Sequence, residues 1–188
     1  ITELGGETVY MALAIAVSGS VEAFVARMNE KAQALGLRST HFANPNGLDD
    51  DGNYSTARDL AKLACCAMEN ETFRQVVSTK NYTFGNRSIA NHNKLLWRYD
   101  GAVGIKTGFT KAAGRLLVSA AEREGRRLVA VTINAPNDWS DHAAMLNYGF
   151  EAYQSKLLLE GGELLGAVPI VSGTAAVVQC QVGADFSY

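Results

Sequence analysis

Apolar residues recur every three to four positions in the first half of the chain and switch to short β-type runs in the second. Residues 9–17 are almost wholly apolar behind a glycine turn at Gly5-Gly6, which predicts a buried helix. Ser18-Gly19-Ser20 breaks it, and Ser20 is suited to cap the next helix because its hydroxyl can accept a first-turn N–H. That helix carries Val21, Phe24, Val25, Met28, Ala32 and Leu35 on one stripe, with Glu22, Arg27, Glu30 and Lys31 on other faces. Gly36 ends it. Residues 39–54 are dense in turn formers and predict a long loop, with Asp49-Asp50-Asp51 as a solvated turn. Thr56 and Asp59 form a capping box for a helix whose inner face is Leu60, Leu63, Ala64, Ala67 and Met68. A short helix over 71–77 follows.

From residue 78 the period changes. Residues 80–84 are strand-like and Gly85-Asn86 is a turn, followed by a mixed stretch over 89–97. A central strand then starts near residue 101, and two more apolar strands over 116–121 and 128–133 are joined by a hairpin loop over 122–127. The three strands make an antiparallel meander over 101–134. An amphipathic helix from 137 to 154 would lay Ala143, Met145, Leu146, Phe150 and Tyr153 on the sheet. Short strands with glycine turns fill the tail. Helices, then a meander, then a helix on the sheet predict an α+β fold, with a helical region beside an antiparallel sheet. The expected division is a domain over 1–156 and, over 157–188, the start of a small β-rich domain too short to bury its own core.

Composition narrows the function. The 188 residues are 47% apolar, enough for a core, and the formal charge of −2 gives no basic field for nucleic acid. No apolar run reaches the length of a membrane span. The first residue is Ile, so the chain is expected to be processed or a fragment. Cys65, Cys66 and Cys180 are odd in number and include an adjacent pair, which predicts buried free thiols rather than a disulfide framework. His41, His92 and His142 lack ligand spacing, so no metal and no cofactor are expected.

The candidate chemistry lies in Val103-Gly104-Ile105-Lys106-Thr107-Gly108-Phe109-Thr110. Val103 and Ile105 alternate with small residues as in a half-buried strand. At its expected exposed end come a cation, a hydroxyl and a residue with no side chain. Together they suit the carboxylate of an extended peptide. Alone, the tripeptide also describes a strand end with a solvated lysine.

Four segments widen the evidence. They are residues 12–25 with Met28-Asn29; Thr40-His41-Phe42-Ala43-Asn44-Pro45-Asn46-Gly47-Leu48 with residues 54–59; Asn91-His92-Asn93-Lys94-Leu95-Leu96-Trp97 with residues 104–110; and Ala113-Gly114-Arg115 with the strand 126–133. In this order the chain resembles the D-alanyl-D-alanine carboxypeptidases, the low-molecular-mass penicillin-binding proteins of serine peptidase type. The resemblance implies a transpeptidase-like domain and acyl transfer by a serine of a Ser-x-x-Lys motif. A Ser-x-Asn loop stands opposite, and Lys-Thr-Gly lines the third wall. Lys106, Thr107 and Gly108 would carry the catalytic wall, pairing with substrate as an added strand. Phe109 would lend its N–H to the oxyanion hole, and Phe109, Thr110 and His92 would line the substrate site.

Two departures accompany the match. No serine here has lysine three residues later, and no Ser-x-Asn occurs. The family's Ser-Gly-Asn-Asp aligns with Gly5-Gly6-Glu7-Thr8. The nucleophile segment is expected upstream of Ile1, which would leave this chain inactive by itself. The implied partners are the peptidoglycan stem peptide and, for the intact parent, β-lactams. The implied place is outside the cytoplasmic membrane, with signal and anchor not in this chain. Uncovered apolar surface would favour self-association. A non-catalytic peptidoglycan-binding relative and a serine β-lactamase are the alternative readings.

Overall fold

The computed structural model describes residues 6–154, 156–171 and 177–187. Gly5, which aligns with the family's motif serine, lies outside the described residues, as does the Glu7 side chain. The chain divides into two compact units, over 1–149 and 150–188.

In the first unit, α1 (Gly6–Ser18) and α2 (Val21–Ala34) are joined by a two-residue break. Ser20 caps α2 through its Oγ, which accepts from Ala23 N at 3.1 Å. The other end closes as a Schellman motif. Gly36, at φ +68°, donates to Gln33 O, and Leu37 N donates to Ala32 O. The α2 stripe is half-buried or buried as expected. The apolar run of α1 is not buried. Ala14 alone is enclosed among its described side chains, while Met11, Leu13, Ile15 and Val17 are exposed. The reason is its neighbourhood: α2 is its principal packing partner, and one helix covers only one stripe of another.

The loop over 39–54 is ordered by side-chain amides. Asn29 accepts from Phe42 N and donates to Phe42 O, both at 2.8 Å. His41 and Tyr54 form an isolated antiparallel bridge with their rings stacked. Thr56 caps α3 (Ala57–Met68) by accepting from Asp59 N. The expected return bond from Asp59 is replaced: its Oδ2 accepts from Ser39 N at 2.8 Å and Thr40 Oγ1 at 2.9 Å. The carboxylate therefore ties the loop to the helix instead of completing the capping box. Asn70 caps α4 (Glu71–Ser78). On α3, Ala64 and Met68 face inward, so the helical period carries Cys65 and Cys66 outward. The expectation of buried thiols fails for these two, which are exposed, and Cys180 is intermediate.

A hairpin of β1 (Asn81–Phe84) and β2 (Arg87–Ala90) and the short α5 (Leu95–Arg98) lead to the sheet. It is an antiparallel meander of β3 (Ala102–Thr110), β4 (Gly114–Arg123) and β5 (Arg126–Ile133), in the order β3-β4-β5. Among the described residues β3 is therefore an edge strand, not the central one, because each successive strand is added on the side away from it. The joining loop is also shorter than expected. Only Glu124 and Gly125 lie outside the ladder, both with positive φ, which makes a type I′ turn. Glu122 and Arg127 consequently sit opposite each other and pair as ions.

α3 and α4 cover one face of this sheet. Ala64 and Met68 meet Ile105 and Ala120, with Phe73, Val77, Val103, Val118 and Val129 around them. Arg74 and Arg127 both donate to Met68 O, which anchors the end of α3. α6 (Asp138–Ala152) is tied to the sheet by the bidentate pair of Arg115 with Asp138 at 3.0 Å. Its buried line is Asp138, His142, Leu146 and Phe150, whereas Met145 and Tyr153 are exposed, against expectation. Polar partners on the strands, rather than apolar content, set the helix's rotation.

The second unit holds β6 (Leu157–Leu159), β7 (Leu164–Pro169), β8 (Val177–Gln181) and β9 (Phe186–Ser187). They form two antiparallel pairs, β6 with β9 and β7 with β8. The described side chains of these strands are almost all exposed.

Candidate active site

β3 is buried along one half and exposed along the other. Gly104 and Ile105 are enclosed, while Lys106, Gly108 and Phe109 reach solvent. Lys-Thr-Gly thus lies where burial stops, in mid-strand rather than at the strand's end. The register puts Lys106 opposite Val118, Gly108 opposite Leu116 and Thr110 opposite Gly114, all on one face. Val118 packs against the cluster around Ala64 and Met68, so this is the face that carries α3 and α4. Thr107 and Phe109 alternate to the opposite face, across from Leu117 and Arg115. Among the described residues no strand pairs with the outer edge of β3. A ligand strand laid there would meet side chains from both faces.

The Lys106 ammonium donates to Thr107 O of its own strand. Protein crowding around it disfavours the charged form, so desolvation holds its pKa below the ordinary lysine value. A carboxylate placed beside it would favour the charged form. The Thr107 hydroxyl makes no hydrogen bond among the described residues. At Gly108 an added Cβ would meet Leu116 Cβ at 3.6 Å, an ordinary contact. Nothing in the packing of the strand itself therefore requires glycine at this position. Phe109 is 68% exposed.

Thr110 is engaged within the protein. Its Oγ1 donates to Asp49 Oδ1 at 2.7 Å and accepts from Ala113 N at 2.9 Å. Asp49 therefore belongs to the neighbourhood of this strand and is more than a solvated turn. Sequence reasoning missed it because an acidic run in a loop looks like any solvated turn, and 61 residues separate the two partners. His92 is exposed in the turn between β2 and α5 and makes no hydrogen bond among the described residues. The turn itself is fixed by Asn91, whose Nδ2 donates to Thr79 O and whose Oδ1 accepts from Asn93 N. The structure brings Lys106, Thr107, Gly108 and Phe109 together on one strand and leaves His92 unconnected to them by any bond.

A second constellation has the elements of a nucleophile and a base. Ser119 Oγ lies 2.6 Å from His142 Nδ1, and His142 Nε2 lies 2.9 Å from Thr132 Oγ1. Ser119 and His142 are both 0% exposed, so no substrate reaches them. Burial pushes the imidazole pKa down to about 4, against the weaker opposing pull of Asp138 and Asp141. This is a neutral, doubly bonded core histidine.

The peptidase S11 family, D-alanyl-D-alanine carboxypeptidase, matches residues 6–137. The D-alanyl-D-alanine carboxypeptidase DacB2 of Mycobacterium tuberculosis is 40% identical over 144 residues, 70% of this chain and 50% of that protein. DacF of Bacillus subtilis is 32% identical over 182 residues, 93% of this chain and 47% of that protein. Penicillin binding protein 5 from Haemophilus influenzae superposes with a TM-score of 0.78 at 32% identity, over 95% of this chain and 54% of that one. The DD-transpeptidase of Streptomyces K15 superposes with a TM-score of 0.67 at 40% identity, over 69% of this chain and 55% of that one. The chain spans about half the length of the curated relatives it matches.

Proposed function

Since this chain belongs to the D-alanyl-D-alanine carboxypeptidase family, we propose that it forms the substrate-binding wall of a serine-type D-Ala-D-Ala carboxypeptidase. The reaction is acyl transfer at the terminal D-Ala of peptidoglycan stem peptides, outside the cytoplasmic membrane. One observation carries the reading. Among the described residues, β3 offers an unpaired outer edge on which a cation, a hydroxyl without a hydrogen bond and a side-chain gap follow in sequence. An extended peptide ending in carboxylate adds to such an edge through main-chain hydrogen bonds. Lys106 supplies positive potential, Thr107 a donor to the terminal carboxylate, and Gly108 room for the incoming backbone. The Phe109 N–H serves the oxyanion hole of the acyl-transfer step. β-Lactams enter as mimics of the same chain end.

The chain contains no Ser-x-x-Lys, and the buried pair Ser119–His142 is sealed from solvent. The nucleophile is therefore assigned outside these 188 residues. The test is direct. The purified chain should bind diacetyl-L-Lys-D-Ala-D-Ala, shifting amide resonances over 106–109, and should not become covalently labelled by a fluorescent penicillin. Lys106→Ala should weaken peptide binding by about tenfold or more, the loss of one charge-assisted contact. Covalent labelling would place a nucleophile inside the chain. Absence of peptide binding would remove the substrate-wall reading.

A non-catalytic peptidoglycan-binding relative is the second reading, favoured by Gly5 and Glu7 where the family carries serine and asparagine. The native coding sequence upstream of Ile1 separates the two: Ser-x-x-Lys in frame supports the enzyme, and its absence supports the binding protein.

A further inference from the structure

The bond between Thr110 and Asp49 joins the end of the proposed substrate strand to a loop that is rigid for its own reasons. The Leu48 carbonyl accepts from both Asn44 Nδ2 at 3.2 Å and Asn53 Nδ2 at 2.9 Å. Leu48 N donates to Asn46 Oδ1, Gly47 N to Asn44 Oδ1 and Ala43 N to Asn53 Oδ1. These bonds fix the backbone on the N-terminal side of Asp49. At the loop's start, Asn29 of α2 holds Phe42 by both its amide atoms. The carboxylate of Asp49 is thus presented from a braced support although it is exposed.

Its partner stands in a position that matters. Thr110 is the last residue of β3, on the same face as Lys106 and Gly108. Four strand steps, about 13 Å, separate Lys106 from Thr110. The hydroxyl of Thr110 uses its proton on Asp49 and a lone pair on Ala113 N, which closes the turn into β4. An edge strand with one neighbouring strand is free to twist and fray toward its exposed end. A hydrogen bond to a carboxylate at that end opposes the fraying more strongly than a neutral one.

We propose that Asp49 is a positioning residue for the substrate strand. Acting through Thr110, it latches the 43–53 loop to the end of β3 and fixes the placement of Thr107, Gly108 and the Phe109 N–H before ligand arrives. The inference rests on the reading of β3 as the substrate strand. It also gives Thr110 a different task from the one its place beside Lys-Thr-Gly suggests: it holds the strand instead of touching substrate.

The experiment pairs two readouts on the same chain. Amide hydrogen exchange reports the latch, and titration with diacetyl-L-Lys-D-Ala-D-Ala reports its consequence. In Asp49→Ala and in Thr110→Val, the Ala113 amide and the β3 amides beyond Lys106 should exchange about tenfold faster, with an unchanged unfolding midpoint, and peptide affinity should fall about tenfold. Asp49→Asn and Thr110→Ser keep an acceptor and a hydroxyl, and each should restore affinity to within about threefold of the parent. The double variant Asp49→Ala with Thr110→Val should be no weaker than Thr110→Val alone, because Thr110→Val already removes the bond to Asp49 along with the one from Ala113 N. Unchanged exchange in Asp49→Ala would overturn the latch. Faster exchange with unchanged affinity, or additive losses in the double variant, would overturn the positioning role. A parent chain that binds no peptide would instead defeat the substrate-strand reading, and the exchange data would still decide whether the latch exists.

Discussion

The packing of the protein itself does not require a glycine at position 108. A methyl group there meets Leu116 at an ordinary distance, so Gly108→Ala should leave the unfolding free energy unchanged or raise it by up to about 1 kcal/mol, as replacing a strand glycine does. If β3 is the substrate strand proposed above, the same substitution should weaken diacetyl-L-Lys-D-Ala-D-Ala binding about tenfold by crowding the ligand backbone. Denaturant titration and peptide titration of one variant test both halves, and a large loss of stability would assign the glycine to the fold. His142 gives the opposite case, a titratable group that serves the fold alone. Its folded pKa is about 4 against 6.5 when exposed, so the unfolded chain takes up the proton first as pH falls. The stabilisation is complete above the unfolded value and is lost progressively down to the folded one. Between about pH 7.5 and about pH 5 the loss should be about 2 kcal/mol, and His142→Gln should flatten that part of the pH–stability curve in urea titrations. The sequence singles out Lys106, Thr107 and Gly108 by their types and order, and the structure sets them in succession where the burial of β3 stops. Asp49, His142 and the exposed Cys65 and Cys66 were not legible in this way, since partners distant in sequence or the rotation of a helix decide their roles.

At the scale of elements, capping chemistry was the most readable signal. Ser20, Thr56 and Gly36 stop or start helices where local hydrogen bonding alone says they should. What tertiary contact decides was less visible. Asp59 has the spacing of a capping box, yet its carboxylate, 5% exposed, serves Ser39 and Thr40 of the loop. Asp59→Ala leaves one backbone donor and one hydroxyl without their acceptor and should cost about 2–3 kcal/mol. Asp59→Asn keeps an acceptor oxygen and should cost about half as much by thermal unfolding. Equal losses in the two variants would show that charge, not the acceptor, is what the loop needs. The edge position of β3 was also hidden. An apolar run with small residues reads as a central strand, and only the order of the meander shows that its burial comes from α3 and α4.

For the whole molecule, the α+β class and the meander over 101–134 were readable, because the change from helical to strand period is a property of the sequence itself. The exposure of α1 was not, since periodicity marks an apolar surface without saying what covers it. Met11, Leu13, Ile15 and Val17 on α1 are exposed together. Sedimentation velocity over rising concentration should therefore show a growing weight-average mass, and a monomer throughout would mean that this surface is tolerated in water. The Glu124-Gly125 turn has a consequence of a different kind, for the order in which the molecule acquires its structure. Among the described residues β3, β4 and β5 pair with their neighbours in sequence, and the second hairpin closes through a two-residue turn whose positive φ values suit the twist of the strands. Hairpins of this sort form in about 1–10 μs, while a ribosome adds only about 5–20 residues per second. The sheet that carries Lys106 can therefore register its strands within a moment of residue 133 leaving the exit tunnel. The loop carrying Asp49 emerges earlier, so the proposed Asp49–Thr110 latch can close only once the end of β3 has been made.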